Sequence, residues 1–277
     1  MSNHQPIGVF DSGVGGLSVL EHIHRQLPAE NLIYLADSAY IPYGSLQSDL
    51  IQRRSHLIAE FFISRGVKAM VVACNTATAA AIESLRLSFQ IPVIGMEPAV
   101  KPAVLATQVG VIGVLATSGT LASEKFSSLV KRFGSSAEVV FQPGDGLVEQ
   151  VESGNMESEE THSLLKKHLE PLMKQGVDTL VLGCTHYPFL IPQIREIVGD
   201  DVVILDTGDA IASELKRQLE AAELIVPKLM ALDLTTPESS EGSVTFFSSG
   251  DAEAGRVMIS RLWGRDVTVE YFPEEER

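Results

Sequence analysis

"IGVFDSGVGGLS" (residues 7–18) reads as a short apolar strand, a turn of small residues and the start of a helix. "IGVLATSGTLAS" (112–123) repeats that order: apolar strand, Ser/Thr/Gly turn, helix start. A second matching pair follows downstream. "AMVVAC" (69–74) and "TLVLGC" (179–184) are apolar runs of strand length ending on Cys74 and Cys184, the only cysteines among 277 residues. Each half therefore runs strand, small-residue turn, helix, further α/β structure, then a strand closing on a thiol. A shared order of this kind marks an internal duplication and predicts two structurally related lobes. The boundary is expected near Pro98, with residues 1–97 plus 208–277 forming the first lobe and 98–207 the second.

Further strands are expected at "LIYLA" (32–36), "PVIGM" (92–96), "EVVFQ" (138–142), "VVILD" (202–206), "VTFFS" (244–248) and "VTVEYF" (267–272). Most are continuous hydrophobic runs, the pattern of parallel strands covered on both faces. Amphipathic stretches lie between them, such as "SDLIQRRSHLIAEFFISRG" (48–66), where Gly66 is a natural helix stop. Alternating strand and helix gives an α/β fold: two similar lobes with mostly parallel sheets, related by a pseudo-twofold, with the active site in the cleft between them. Ligands of such sheets gather at the carboxyl ends of the strands. Both small-residue turns and both cysteines fall at such ends. The Pro/Ser-rich stretch 225–242 is expected to be a surface excursion.

The chain is acidic, with a formal net charge of −15. That charge repels nucleic acid and anionic membranes at long range, so direct nucleic-acid binding is not expected. Acidic runs such as "ESEE" (157–160) and "PEEER" (273–277) read as solvated surface. No apolar run approaches the 18 or so residues needed to span a bilayer. The N-terminus lacks a basic segment followed by an apolar core, so a cytoplasmic protein with free thiols is expected.

A lone cysteine at a strand end is often only a small buried hydrophobe. Here each is followed by polar residues, Asn75 and Thr76 after Cys74, Thr185 and His186 after Cys184. Both are expected where a strand turns into a helix N-terminus, whose partial positive charge favours thiolate. Two thiols far apart in sequence, with no Cys-x-x-Cys and no paired His motif, do not make a zinc site. A Cys–His hydrolase built on Cys184 and His186 is feasible, because side chains two apart on a strand share a face. It leaves Cys74 and the duplication without a role. The turn "DSGVGG" is neither a Gly-Lys-Ser/Thr phosphate loop nor G-x-G-x-x-G, yet its backbone amides at a helix start could hold an anion. None of "DSGVGG", "YIPYG" (40–44), "CNTAT" (74–78), "ATSGT" (116–120) and "CTHYP" (184–188) contains Lys or Arg. An anionic substrate would be held by amides, hydroxyls and Asn75, with His186 the one candidate cation. Asp11, aimed at such a site, would serve proton transfer, or else act as a helix N-cap.

"DSGVGG", "PYG", "ACNTAT" and "GCTHYP", in this order and spacing, resemble the glutamate racemases of bacterial cell-wall synthesis, and the likeness runs over essentially the whole chain. "GCTHYP" with "ACNTA" is shared by the wider aspartate/glutamate racemase superfamily; "DSGxGG" and "YxPYG" point to the glutamate branch. The resemblance implies a cofactor-independent isomerase that interconverts L- and D-glutamate for peptidoglycan, with aspartate or another amino acid as the alternative substrate. It implies Cys74 and Cys184 as the two acid/bases, Asp11 supporting the first and His186 the second, with Glu152 assisting and Glu149 the other candidate for that place. Substrate contacts are implied at Asp11, Ser12, Tyr43, Gly44, Asn75, Thr76, Thr117, Thr120, Thr185 and His186, with no metal and no cofactor. It further implies a homodimer acting on a small-molecule substrate. Because an amino-acid α-proton is a very weak acid, its removal needs a closed, dry site, so the lobes are expected to hinge on substrate.

Overall fold

The computed structural model describes residues 3–133, 136–226 and 241–273. The chain runs β1 (Ile7–Asp11), α1 (Leu17–Gln26), β2 (Leu32–Ala36), α2 (Ser48–Ser64), β3 (Ala69–Val72), α3 (Asn75–Ser88), β4 (Val93–Gly95) and α4 (Val100–Ala106). It continues through β5 (Val111–Ala116), α5 (Ser118–Leu121), α6 (Glu124–Phe133), β6 (Glu138–Pro143), α7 (Leu147–Glu152), α8 (Glu159–Met173), β7 (Thr179–Gly183), α9 (Ile191–Val198) and β8 (Val203–Leu205). It ends in α10 (Gly208–Ala221), β9 (Val244–Ser248), α11 (Ala252–Trp263) and β10 (Val269–Tyr271).

The strands form two sheets, ordered β10-β9-β2-β1-β3-β4 and β6-β5-β7-β8. Every described strand pair is parallel. Within the first sheet, β2-β1-β3-β4 has the same order as the whole second sheet, so the duplication legible in the sequence extends to topology. Register agrees as well. Ile7 lies opposite Ala69 in one sheet and Ile112 opposite Thr179 in the other, and each cysteine stands five residues beyond that partner. The two thiols thus occupy equivalent positions at the carboxyl ends of equivalent central strands.

The central apolar runs form strands covered on both faces, while β6, β8 and β10 at the sheet edges keep exposed residues. Ile7, Val9 and Phe10 of β1 are fully buried, as are all four residues of β3. Val9 packs with Leu17, Leu20 and Leu215 on one side, and Phe10 with Ile58, Phe62 and Leu85 on the other. The first of these clusters continues through Leu147, Leu182 and Tyr187, so one apolar core passes from lobe to lobe. The helix expected over 48–66 runs Ser48–Ser64, and Gly66 past its end has φ +72°, the left-handed conformation that stops a helix at little cost in glycine. Glu157, Glu159 and Glu160 are exposed around the start of α8, as expected of solvated surface. Of the expected excursion at 225–242, residues 227–240 lie outside the described residues, as do 274–277 of the acidic C-terminus. Among the described residues no helix is long and apolar enough to cross a membrane.

Candidate active site

Cys74 caps the N-terminus of α3: its Sγ accepts from the Ala77 N–H at 3.5 Å and lies 3.8 Å from the Ser12 hydroxyl. The expected thiolate stabilisation does not follow. Burial, and then the nearby charge of Asp11, push the Cys74 thiol well above its ordinary range, and the single helix amide does not offset them. Cys184 departs from expectation differently. The segment after it enters a 3-10 turn at Tyr187–Leu190, with α9 starting only at Ile191, so this cysteine does not cap an α-helix as Cys74 does. Its neighbour is His186, whose Nδ1 is 3.7 Å from Cys184 Sγ. The strand ends at Gly183 and His186 has helical backbone (φ −75°, ψ −30°), so a turn, and not the shared strand face expected, brings these groups together.

His186 links that thiol to a carboxylate, its Nε2 lying 2.7 Å from Glu152 Oε1. The same oxygen accepts the Val14 N–H at 2.7 Å. Glu152 is thus the acidic residue placed on the histidine, while Glu149, one turn earlier on α7, is exposed. Burial pulls the His186 pKa down, but its bonds to Cys184 and Glu152 outweigh burial and leave it well above the ordinary value. The imidazolium is therefore the resting form at neutral pH.

The Gly-rich turn has a different task from the expected anion cradle. Gly13 N–H donates to Asp11 Oδ2 at 3.1 Å and Val14 N–H to Glu152, so these amides serve the protein's own carboxylates. The glycines permit close approach instead. A Cβ at Gly15 would lie 2.3 Å from His186 Nδ1, and one at Gly13 would lie 2.2 Å from Glu152 Oε1. Nor is Asp11 a helix cap, since Gly16 stands at that place with no side-chain cap. The fully buried Asp11 carboxylate accepts the Thr185 hydroxyl at 3.1 Å, across the lobe boundary, while the hydroxyl beside Cys74 is that of Ser12. Burial is the largest influence on Asp11 and raises its pKa to about 6, against the lowering effects of His186, Gly13 and Thr185.

Ser12, Tyr43, Gly44, Cys74, Asn75, Thr76, Thr117, Cys184, Thr185 and His186 line one narrow cavity between the lobes, together with Pro42, Val148 and Gly183. Among the described residues no Lys or Arg lines it. Cys74 and Cys184 are 6% and 7% exposed, so both sulfurs meet a nearly closed space. Asn75 is buried, and among the described residues neither its side-chain nitrogen nor its side-chain oxygen has a hydrogen-bond partner. An unpaired buried amide is unfavourable by about 1–3 kcal/mol unless a ligand completes it. Thr76, Thr117 and Thr120 form a triangle of hydroxyls, with oxygens 2.9, 3.0 and 3.1 Å apart, that joins the lobes. Two expected contacts differ in detail. Thr120, the buried corner of this triangle, does not line the cavity. Tyr43 lines it, yet its hydroxyl donates to Asp37 Oδ2 at 2.5 Å.

Sequence reading missed Asp37 and Arg54, whose ion pair underlies Tyr43. Asp37 had a usable signal, standing just past the carboxyl end of β2 as Asp11 stands at that of β1. Arg54 had none, because an arginine on an amphipathic helix reads as surface.

Residues 7–215 match the Asp/Glu/Hydantoin racemase family. The chain is 48% identical over 269 residues to the glutamate racemase of Stutzerimonas stutzeri (strain A1501), covering 97% of each protein. Among solved structures it resembles an isoform of glutamate racemase from Bacillus anthracis, with a TM-score of 0.87, 33% identity and 98% of each chain covered. It also resembles the Escherichia coli glutamate racemase in complex with L-glutamate and the activator UDP-MurNAc-ala, with a TM-score of 0.82, 30% identity, and 97% of this chain and 98% of that one covered. On the strength of a match across three-quarters of its length and of relatives that align nearly end to end, the chain belongs to the Asp/Glu/Hydantoin racemase family.

Proposed function

We propose that the protein racemises glutamate without a cofactor, one of Cys74 and Cys184 removing the α-proton and the other delivering its own proton to the opposite face. The activity rests on relatives that are glutamate racemases over nearly their full length. One observation carries the mechanism: two thiols from equivalent positions of a duplicated fold line a single cavity. Inverting a stereocentre by proton exchange needs a base on one face of the α-carbon and an acid on the other, and one thiol per lobe supplies that pair.

Cys74, held as a thiol by burial and by the charge of Asp11, is suited to deliver a proton. Once ionised it is a strong base for the same reason, which suits the very weak acidity of an amino-acid α-carbon. At the other face, the His186 imidazolium offers a charge-assisted donor to a thiolate at Cys184, and Glu152 keeps that imidazolium in place. Asn75, Ser12, Thr76, Thr117, Thr185 and the Tyr43–Gly44 turn hold the substrate carboxylates. With no Lys or Arg in the lining, hydroxyl and amide dipoles in a dry site stabilise the charge that builds on the α-carboxylate during proton removal. The substrate ammonium adds positive charge to that of the His186 imidazolium.

This reading takes residues 1–97 plus 208–277 and residues 98–207 as lobes that part to admit substrate. It includes a homodimeric assembly, residence in the cytoplasm and supply of D-glutamate to peptidoglycan. Circular dichroism tests it. L-glutamate loses its signal to zero with the enzyme alone, and L-aspartate loses it at least about 100-fold more slowly, since the site must discriminate a chain one methylene shorter. Equal rates would make the enzyme a broader amino-acid racemase, and a stable glutamate signal would refute the activity.

A further inference from the structure

The Tyr43–Gly44 turn belongs to the stretch between β2 and α2, which contains only two 3-10 turns, Ser38–Tyr40 and Tyr43–Ser45. So little regular backbone bonding would leave it free to adopt several arrangements, yet it lies at the lobe boundary. Built on ideal geometry, a Cβ at Gly119 would sit 2.9 Å from the Gly44 carbonyl oxygen, and one at Gly44 would sit 3.0 Å from Thr117 Cβ. A shift of the turn would therefore alter both the cavity wall and the contact with the second lobe.

A buried charge pair holds it. Asp37 is fully buried, and its N–H donates to the Asp11 carbonyl at 2.9 Å, which ties it to the strand end that carries Asp11. Arg54, on α2 and 5% exposed, grips it in two-pronged fashion, Nε to Oδ2 at 3.0 Å and Nη2 to Oδ1 at 2.7 Å. Oδ2 also accepts the Tyr43 hydroxyl. The Arg54 guanidinium lies 4.0 Å from the centre of the Tyr40 ring. Both ends of the segment from Asp37 to Tyr43 are thus fastened to one ion pair that never touches the cavity.

We propose that Asp37 and Arg54 are positioning residues for racemisation, fixing the Tyr43–Gly44 turn in its substrate-binding arrangement before substrate arrives. The proposal rests on the glutamate reading above. Its energetic basis is preorganisation: where only a fraction of free enzyme has the turn in place, apparent affinity falls by that fraction, while the bound complex reacts as before. Loss of the anchor therefore appears in KM more than in kcat.

Two variants test it, Arg54→Lys, which keeps the charge and loses the two-pronged grip, and Tyr43→Phe, which removes one hydroxyl and leaves the ion pair whole. Each raises the KM for glutamate about tenfold, the scale of one lost hydrogen bond to a charged group. In Arg54→Lys kcat stays within about threefold of wild type. Hydrogen–deuterium exchange of free protein accelerates over residues 38–46 and is unchanged in β1 and β3. Unchanged KM with unchanged exchange overturns the proposal, as does a fall in kcat at constant KM, which would place the pair in the chemical step. If Arg54→Lys fails to fold, the same readouts on Tyr43→Phe decide. If the wild type does not racemise glutamate, the functional reading fails, and the exchange pattern alone still accepts or rejects the anchor.

Discussion

Cys74→Ala and Cys184→Ala each lower glutamate racemisation by about 10²–10⁴-fold or more, general acid–base groups contributing about 10²–10⁴-fold. Either thiol alone leaves one face of the α-carbon without a proton donor or acceptor, so the surviving partner cannot complete inversion. Groups that act as a unit are non-additive, and the double variant is accordingly little worse than either single one. Folding is largely spared. Each sulfur lines a cavity and makes only long contacts, at 3.5 and 3.8 Å for Cys74 and 3.7 Å for Cys184. Losing it shifts the thermal midpoint by about 2–4 °C. Steady-state kinetics by circular dichroism beside a thermal melt checks both halves. Near-wild-type activity in either variant would remove that cysteine from the mechanism.

Replacing His186 with Asn lowers kcat by about 10²-fold, with a smaller change in KM, because the imidazolium acts on Cys184 during proton transfer. The pH profile gives an independent check. Burial pulls the His186 pKa down, and its bonds to Cys184 and Glu152 more than reverse that, so the folded value lies well above the ordinary 6.5. A raised folded value means that the cation persists through neutral pH and is lost as pH rises. The stabilisation gained from the pair with Glu152 is likewise fully present below the unfolded value near 6.5 and disappears as pH climbs through the folded one. Activity therefore holds at neutral pH and declines on an alkaline limb. Glu152→Gln removes one raising influence while keeping an oxygen for Val14, and so moves that limb to lower pH. An alkaline limb unmoved in Glu152→Gln would detach Glu152 from the histidine's role.

Much of this was legible because duplication and strand patterning are properties of local sequence. All ten expected strands are present, and the repeated order at Ile7 and Ile112 proved to be a repeat of register as well. Cys184 and His186, close in sequence, do meet as expected, although a turn after β7 and not strand alternation brings them together. What stayed hidden depended on approach between distant segments. "DSGVGG" looked like an anion cradle, since nothing local reveals that Glu152 and His186 press against its glycines. The helix start at Cys74 suggested a ready thiolate, but protonation is decided by burial and by Asp11 from a neighbouring strand. Tyr43 was expected at the substrate, and its hydroxyl serves a buried Asp37–Arg54 pair that no pattern announces.

Racemisation of L-glutamate in D₂O, followed by NMR through the first few per cent of conversion, tests the two-thiol claim most directly. If opposite faces are served by different sulfurs, the first D-glutamate formed carries deuterium at the α-carbon, drawn from a solvent-exchanged thiol, while the remaining L-glutamate keeps its hydrogen. D-glutamate that retains the original α-hydrogen would show one group returning the proton it removed, and would contradict the account.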